Sequence, residues 1–227
     1  MNLSQQLAAR QEQLVREVFS PAQAATLQAD TAALKQTGIE QQSLQVGDAM
    51  PNFVLPTIAA DPVELQQLLA TGPVVISFYR GSWCTFCSAE LKALDMALPA
   101  IAELGATLVS ISPELPRRAR RAALKTAPNH LLLHDRGNQL AEQLQITFTM
   151  PEPVREIYSD LGIDLVHFNG DDSHKLPVPA TFIVAQDQSI QFCFVNADYT
   201  QRLDPVEIVT VLKRLQSPAS TSLATAT

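Results

Sequence analysis

The sequence predicts an α/β domain built on a helix-covered, parallel sheet, and three observations carry that prediction. Residues 73–79 form an apolar run rich in β-branched and aromatic side chains, bounded by Gly72 and Gly81, as in a central strand covered on both faces. Strand-like and helix-like segments then alternate as far as Leu133, the pattern of parallel strands joined by crossover helices. Of 227 residues, 46% are hydrophobic and only 17% charged, enough apolar material for a real core.

Taken in order, residues 3–18 carry Leu3, Leu7, Leu14, Val15 and Val18 as a helical stripe. Ser20 and Pro21 supply a cap and a first-turn proline for a second helix, which ends near Gln36 before Thr37-Gly38. Residues 1–38 are therefore expected as a helical hairpin, packed on its own subunit or, alternatively, forming a dimer contact. From Val46 short extended segments precede the central strand. A helix is expected from about Cys84 to Leu104, with Leu91, Leu94, Leu98 and Ile101 on one face. Strand 106–111, helix 115–125 and short strand 131–133 follow. After an irregular stretch with Pro151, Pro153, Gly170, Pro177 and Pro179, strands 181–184 and 189–195 flank a turn at Gln186-Asp187-Gln188. Asp204-Pro205 opens a last helix to about Leu215. The main domain spans 44–215, and residues 216–227 read as a frayed tail.

Sixteen Lys and Arg against 23 Asp and Glu give a net charge of −7, which argues against a nucleic-acid partner. No apolar run approaches the roughly 20 residues of a membrane-spanning helix. Residues 1–10 lack the pattern of a secretory signal, so a cytoplasmic location is expected.

Three cysteines are present, Cys84, Cys87 and Cys193, and the first two form a Cys-x-x-Cys pair where a buried strand passes into a helix. Unpaired N–H groups of a first helical turn stabilise a thiolate, and spacing i, i+3 permits a disulfide. Arg80 lies close enough in sequence to add positive potential. The pair therefore reads as a reversible dithiol that needs no cofactor. Half a zinc site and a purely structural pair are the alternatives; no second ligand pair stands at metal spacing, and His130 and His134 flank strand-like residues. Cys193, between Phe192 and Phe194, reads as a buried unreactive thiol or a second resolving group. Arg117, Arg118, Arg120, Arg121 and Lys125 read as a solvated basic helix face or an anion site. Asp171, Asp172 and His174 read as an exposed loop or as pocket lining, and Asp95 and Glu103 as the polar face of the helix after the pair.

The run FYRGSWCTFCSAE from Phe78 to Glu90, with VGDAMPNFVL from Val46 and LPVPATFIV from Leu176, resembles the peroxiredoxin-like branch of the alkyl hydroperoxide reductase/thiol-specific antioxidant family. The resemblance implies a thioredoxin-like fold, a central mixed sheet flanked by helices. Matching the family's Thr-x-x-Cys-x-x-Glu puts the peroxidatic cysteine on Cys87, the glutamate on Glu90 and the threonine position on Cys84. Trp83-Cys-x-x-Cys also resembles thioredoxin-like reductases, in which the first cysteine, here Cys84, attacks. Where peroxiredoxins carry an arginine before the late strand, this sequence has Pro179, which looks like the cis-proline of thioredoxin-like enzymes; the Val178–Pro179 bond is expected to be cis and to face the cysteines. Arg80 is either a substitute for the missing charge or a surface arginine.

The function implied is a thiol-dependent peroxidase for hydrogen peroxide or organic hydroperoxides. It would cycle through a Cys84–Cys87 disulfide with Cys193 left reduced, and thioredoxin or another dithiol would restore it. Cys87 is the expected attacker on peroxide, and a homodimer is a possible state. A thiol–disulfide oxidoreductase acting on protein disulfides and a non-catalytic redox-responsive binding module are the alternatives.

Overall fold

The computed structural model describes residues 2–126 and 128–216. Two helices come first, α1 (Leu3–Glu17) and α2 (Pro21–Gln36), followed by the short α3 (Ile39–Gln42). Both long helices start at a reciprocal cap: Asn2 accepts the Gln5 N–H and Ser20 accepts the Gln23 N–H, while each glutamine side chain returns a bond to the cap. A hairpin β1 (Val54–Pro56) and β2 (Pro62–Glu64) leads through α4 (Leu65–Leu69) to β3 (Val74–Phe78). Then come α5 (Thr85–Glu103), β4 (Thr107–Ser112), α6 (Pro116–Thr126) and β5 (Leu131–His134), the alternation expected from the sequence.

The stretch expected to be irregular instead holds α7 (Gln139–Gln143), β6 (Thr147–Thr149), α8 (Glu152–Asp160), α9 (Leu165–Asn169) and β7 (Lys175–Pro177). Each has nine residues or fewer, too short for a periodic signal to stand out. The chain closes with β8 (Ala180–Val184), β9 (Ile190–Val195) and α10 (Pro205–Gln216). Asp204 caps α10 by accepting the Val206 N–H, as the Asp-Pro start predicts, and its second oxygen accepts the Leu3 N–H. The tail expected beyond Gln216 lies outside the described residues.

The main sheet has the order β5-β4-β3-β8-β9. Strands β3, β4 and β5 are parallel, whereas β8 pairs antiparallel with β3 and with β9. The sheet is therefore mixed, as the resemblance implies. A purely parallel sheet is ruled out by the β8–β9 connection, which is too short for a crossover. One face buries Ile76, Phe78, Val109, Leu133 and Phe182. The other buries Val75, Leu108 and Ile183 against Leu94 and Ile101 of α5 and Ile208 and Leu212 of α10.

The N-terminal helices pack on their own subunit, α1 along α5 and α2 along α8. Leu3 and Leu7 of α1 join Tyr79, Cys84, Phe86 and Cys87 in one apolar cluster. Helix α1 is thus part of the roof over the cysteine pair.

Candidate active site

Strand β3 is buried along its whole length, and the chain leaves it through Tyr79, whose N–H still pairs with Ile111 O at 2.9 Å. The turn to α5 passes through Gly81 at φ +152°, where a Cβ would lie 2.4 Å from Trp83 Nε1; only glycine fits. Ser82 anchors the turn by giving its N–H and hydroxyl to the Glu114 carboxylate at 2.9 and 2.5 Å. Cys84 is the N-cap residue of α5 and Cys87 its third residue, so both sulfurs sit at the start of the helix. Both thiols are free and buried, Cys84 at 6% exposure and Cys87 at 0%.

Two donors reach the Cys87 sulfur: the Arg80 backbone N–H at 3.4 Å and Arg202 Nη2 at 3.2 Å. Arg202, from the loop between β9 and α10, is held on every nitrogen. Its Nε donates to Glu90 Oε2 at 2.5 Å, and its Nη1 donates to the Tyr199 and Gln201 carbonyls, each at 2.6 Å. Glu90 also accepts from the Ser77 hydroxyl at 3.3 Å. Burial pushes Glu90 up to about 7, against the pull of Arg202. A fixed, buried guanidinium aimed at sulfur is a preorganised electrostatic element for charge developing there.

The Arg80 side chain turns the other way. Its Nη2 donates to the Tyr158 hydroxyl at 2.5 Å, and its Cζ lies 4.9, 5.6 and 4.6 Å from the ring centroids of Trp83, Tyr158 and Tyr199. Such an aromatic cage compensates a buried cation. At 1% exposure Arg80 is not the surface arginine that was one expectation. It serves the site through its backbone N–H and its long-range charge.

The two thiols titrate as a unit. The Cys84 thiol is lowered to about 5, chiefly by the hydrogen bond from Cys87; burial opposes this, and Arg80 and Arg202 then favour the thiolate. Cys87 is held well above the usual thiol range, first by burial and then by its bond to Cys84 and the negative charge there. These opposite shifts favour the thiolate at Cys84 over Cys87, whose sulfur accepts from the two arginine donors. An apolar cavity of about 110 Å³ opens onto Cys84, lined by Trp83, Phe86, Tyr158, Tyr199 and Leu14 of α1 among others; Cys87 is not in its wall.

Pro179 departs from expectation. No cis peptide bond occurs among the described residues, so Val178–Pro179 is trans. The backbone around it is already paired: the Val178 N–H donates to Ile146 O at 2.8 Å, and Pro179 O accepts the Asn196 N–H at 3.1 Å. These groups are not free to bind a substrate chain.

Other sequence candidates fall elsewhere. Cys193 is half-buried rather than buried, on the edge strand β9, and faces the side of the sheet away from α5. Asp95 is more than a polar-face residue, for it accepts the Asn129 N–H at 2.6 Å and meets His130 Nδ1 at 3.2 Å, while His130 Nε2 bonds Ser110 at 2.9 Å. Arg118 stacks over Phe168 and Arg120 donates to the Ile58 carbonyl; the Lys125 side chain lies outside the described residues. Asp171 bonds Ser173, and neither it, Asp172 nor His174 lines the cavity at Cys84.

Sequence reasoning missed Arg202, Tyr158 and Tyr199. The one available signal is scarcity: the chain has three tyrosines and one tryptophan, and all four surround the dithiol and Arg80.

A sequence model of the AhpC/TSA family matches residues 46–193. A candidate peroxiredoxin of Mycobacterium tuberculosis is 29% identical over 103 residues, 45% of this chain and 67% of that protein. A thiol-disulfide oxidoreductase of Bacillus anthracis is 27% identical over 75 residues, 33% of this chain and 42% of that protein. Among solved structures, a peroxidoxin of Mycobacterium tuberculosis superposes with a TM-score of 0.60 at 21% identity, covering 77% of this chain and 99% of its own.

Proposed function

Because this chain belongs to the AhpC/TSA family, we propose that it is a thiol-dependent peroxidase in which Cys84 attacks the peroxide and Cys87 resolves the product. The observation that carries this reading is the buried Cys84/Cys87 pair at the start of α5, with the fixed Arg202 guanidinium 3.2 Å from the Cys87 sulfur. The Cys84 thiolate attacks one oxygen of the O–O bond, which breaks. Cys84 becomes a sulfenic acid, and the other oxygen leaves as an alcohol or water after taking a proton, for which the Cys87 thiol is the nearest source. Arg202 Nη2 and the Arg80 N–H then stabilise the Cys87 thiolate as it attacks the Cys84 sulfur. The hydroxide expelled takes a proton from solvent, and the disulfide remains.

This order reverses the one implied by the family alignment. The lowered thiol and the open cavity at Cys84 support the reversal. An external dithiol such as thioredoxin returns the disulfide to the dithiol, which suits a reducing cytoplasm. A protein-disulfide substrate is less well supported, since the backbone beside Pro179 is occupied.

Dimedone labelling after one equivalent of peroxide tests the order. The label is expected on Cys84 in Cys87→Ser, with little on Cys87 in Cys84→Ser; the opposite distribution restores Cys87 as attacker. Catalytic turnover of peroxide with thioredoxin separates an enzyme from a redox-responsive binding module.

A further inference from the structure

Helix α8 turns Val154, Ile157 and Tyr158 to one side, the i, i+3, i+4 spacing of a buried helical face. These residues pack with Leu27, Met150, Leu165 and Leu176, so the Tyr158 ring is fixed from its own helix. That ring reaches the cavity of about 110 Å³ at Cys84 and forms part of its wall. The Tyr158 oxygen accepts a hydrogen bond from Arg80 Nη2 at 2.5 Å, which leaves the hydroxyl hydrogen to be donated; no acceptor for it occurs among the described residues. A phenol that accepts from a guanidinium is in turn a stronger donor, because hydrogen bonds in a chain polarise one another. Burial raises Tyr158 above the usual phenol range against the pull of Arg80, and the charge at Cys84 raises it further, so the hydroxyl keeps its proton at neutral pH. The other two tyrosines are placed differently. Tyr79 bonds Ser112 and is absent from the cavity wall, and Tyr199 meets Arg80 through its ring face.

We propose that Tyr158 is a further catalytic residue of this site: its hydroxyl, polarised by Arg80, donates a hydrogen bond to the peroxide oxygen that departs when Cys84 attacks the other. This rests on the peroxidase reading above. The thiolate sulfur bonds to one oxygen, the O–O bond breaks, and its electron pair stays on the departing oxygen. Tyr158 stabilises the charge developing there, and the proton from the Cys87 thiol completes the alcohol or water. Arg80 thereby acts on the substrate through Tyr158 and is a positioning residue, while Arg202 acts on the Cys87 sulfur.

The test follows oxidation of the full chain through the emission of Trp83, the one tryptophan, in the unsubstituted protein and in Tyr158→Phe, which keeps the ring and removes only the hydroxyl. Three oxidants are compared: tert-butyl hydroperoxide and hydrogen peroxide, whose departing oxygens become strong bases, and peracetic acid, whose departing group is the stable acetate. A donor to the departing oxygen matters most where that oxygen is most basic. Tyr158→Phe is therefore expected to slow the two peroxides by about 100-fold, the ordinary loss on removing one such donor, and peracetic acid by far less. Alkylation of Cys84 by iodoacetamide, in which no oxygen departs, should keep its rate and its pH midpoint. Equal slowing of all three oxidants, alkylation slowed as much as oxidation, or unchanged peroxide rates overturns the inference and leaves the peroxidase reading standing. Should Tyr158→Phe not fold, 3-fluorotyrosine at position 158 supplies a more acidic hydroxyl in almost the same shape. The two peroxides are then expected to gain more than peracetic acid, and an equal change overturns the inference. Failure of the unsubstituted protein to react with any of the three removes the peroxidase reading itself.

Discussion

Arg202 stands 115 positions from Cys87 in sequence and 3.2 Å from its sulfur in space. Of the site residues it owes most to the fold. Cys84, Cys87 and Glu90 were legible because their spacing places them on successive turns of one helix, whereas nothing local marks Arg202. Its charge is expected to support the thiolate, beside the larger effect of Cys87 and that of Arg80. In the intact protein, thiolate absorbance and alkylation of Cys84 should appear as pH rises through about 5, since the Cys84 thiol is lowered to that value. Arg202→Met should move the midpoint upward by about 1–2 units, the ordinary effect of losing a nearby opposite charge. Glu90 ionises near 7, and above that pH its carboxylate neutralises Arg202 more fully. A second inflection near 7 in the rate of thiolate alkylation is therefore expected, and it should vanish in Glu90→Gln while the first remains.

Among the elements, the strand-to-helix turn and α1 determine how the cysteines are presented. Gly81→Ala forces a Cβ to within 2.4 Å of the Trp83 ring at a φ that L residues rarely adopt. A loss of roughly 1–3 kcal/mol is expected, with a red-shifted tryptophan emission, measurable by denaturant titration followed through fluorescence. Leu7, 3% exposed, packs in the same cluster as both cysteines. Leu7→Ala should destabilise the protein by roughly 2–5 kcal/mol and speed the reaction of Cys84 with a thiol reagent, because the roof over it loosens. If Cys84 reacted no faster in that variant, α1 would not be covering the site. The long helices were readable from their caps and periodicity. The pieces α7 to α9 were not, because five to nine residues hold too few turns for a stripe to emerge from a proline-rich background.

Across the molecule as a whole, two buried guanidinium groups, Arg80 and Arg202, share the interior with Glu90 and the dithiol. The reduced pair supplies a thiolate that offsets one of these cations, and oxidation removes it. The reduced protein is therefore expected to resist denaturation better than the oxidised one, although a disulfide closes a loop. A loop of so few residues constrains the unfolded chain only weakly. Guanidinium titrations with and without reductant measure the difference; a higher midpoint for the oxidised form would show that the thiolate's electrostatic contribution is the smaller. Among the described residues no helix is long and apolar enough to cross a membrane.

The sequence by itself determined the central strand, the alternation through β5, the caps at Ser20 and Asp204, and the dithiol at the start of a helix. Each of these rests on interactions spanning one strand or a few helical turns, and such short-range physics is written in consecutive residues. Tertiary structure decided the rest. The sheet became mixed because β8 inserted beside β3 and paired antiparallel with it. The β9–α10 loop brought Arg202 and Tyr199 to the sulfurs, and α8 brought Tyr158 to Arg80 across 78 positions. The Val178–Pro179 bond is trans, where the motif alone had suggested cis, because the neighbouring backbone is claimed by β8, β9 and the Ile146 carbonyl. Such convergence depends on how strands and helices close around a common core, an outcome of packing summed over the chain that no window of a dozen residues contains.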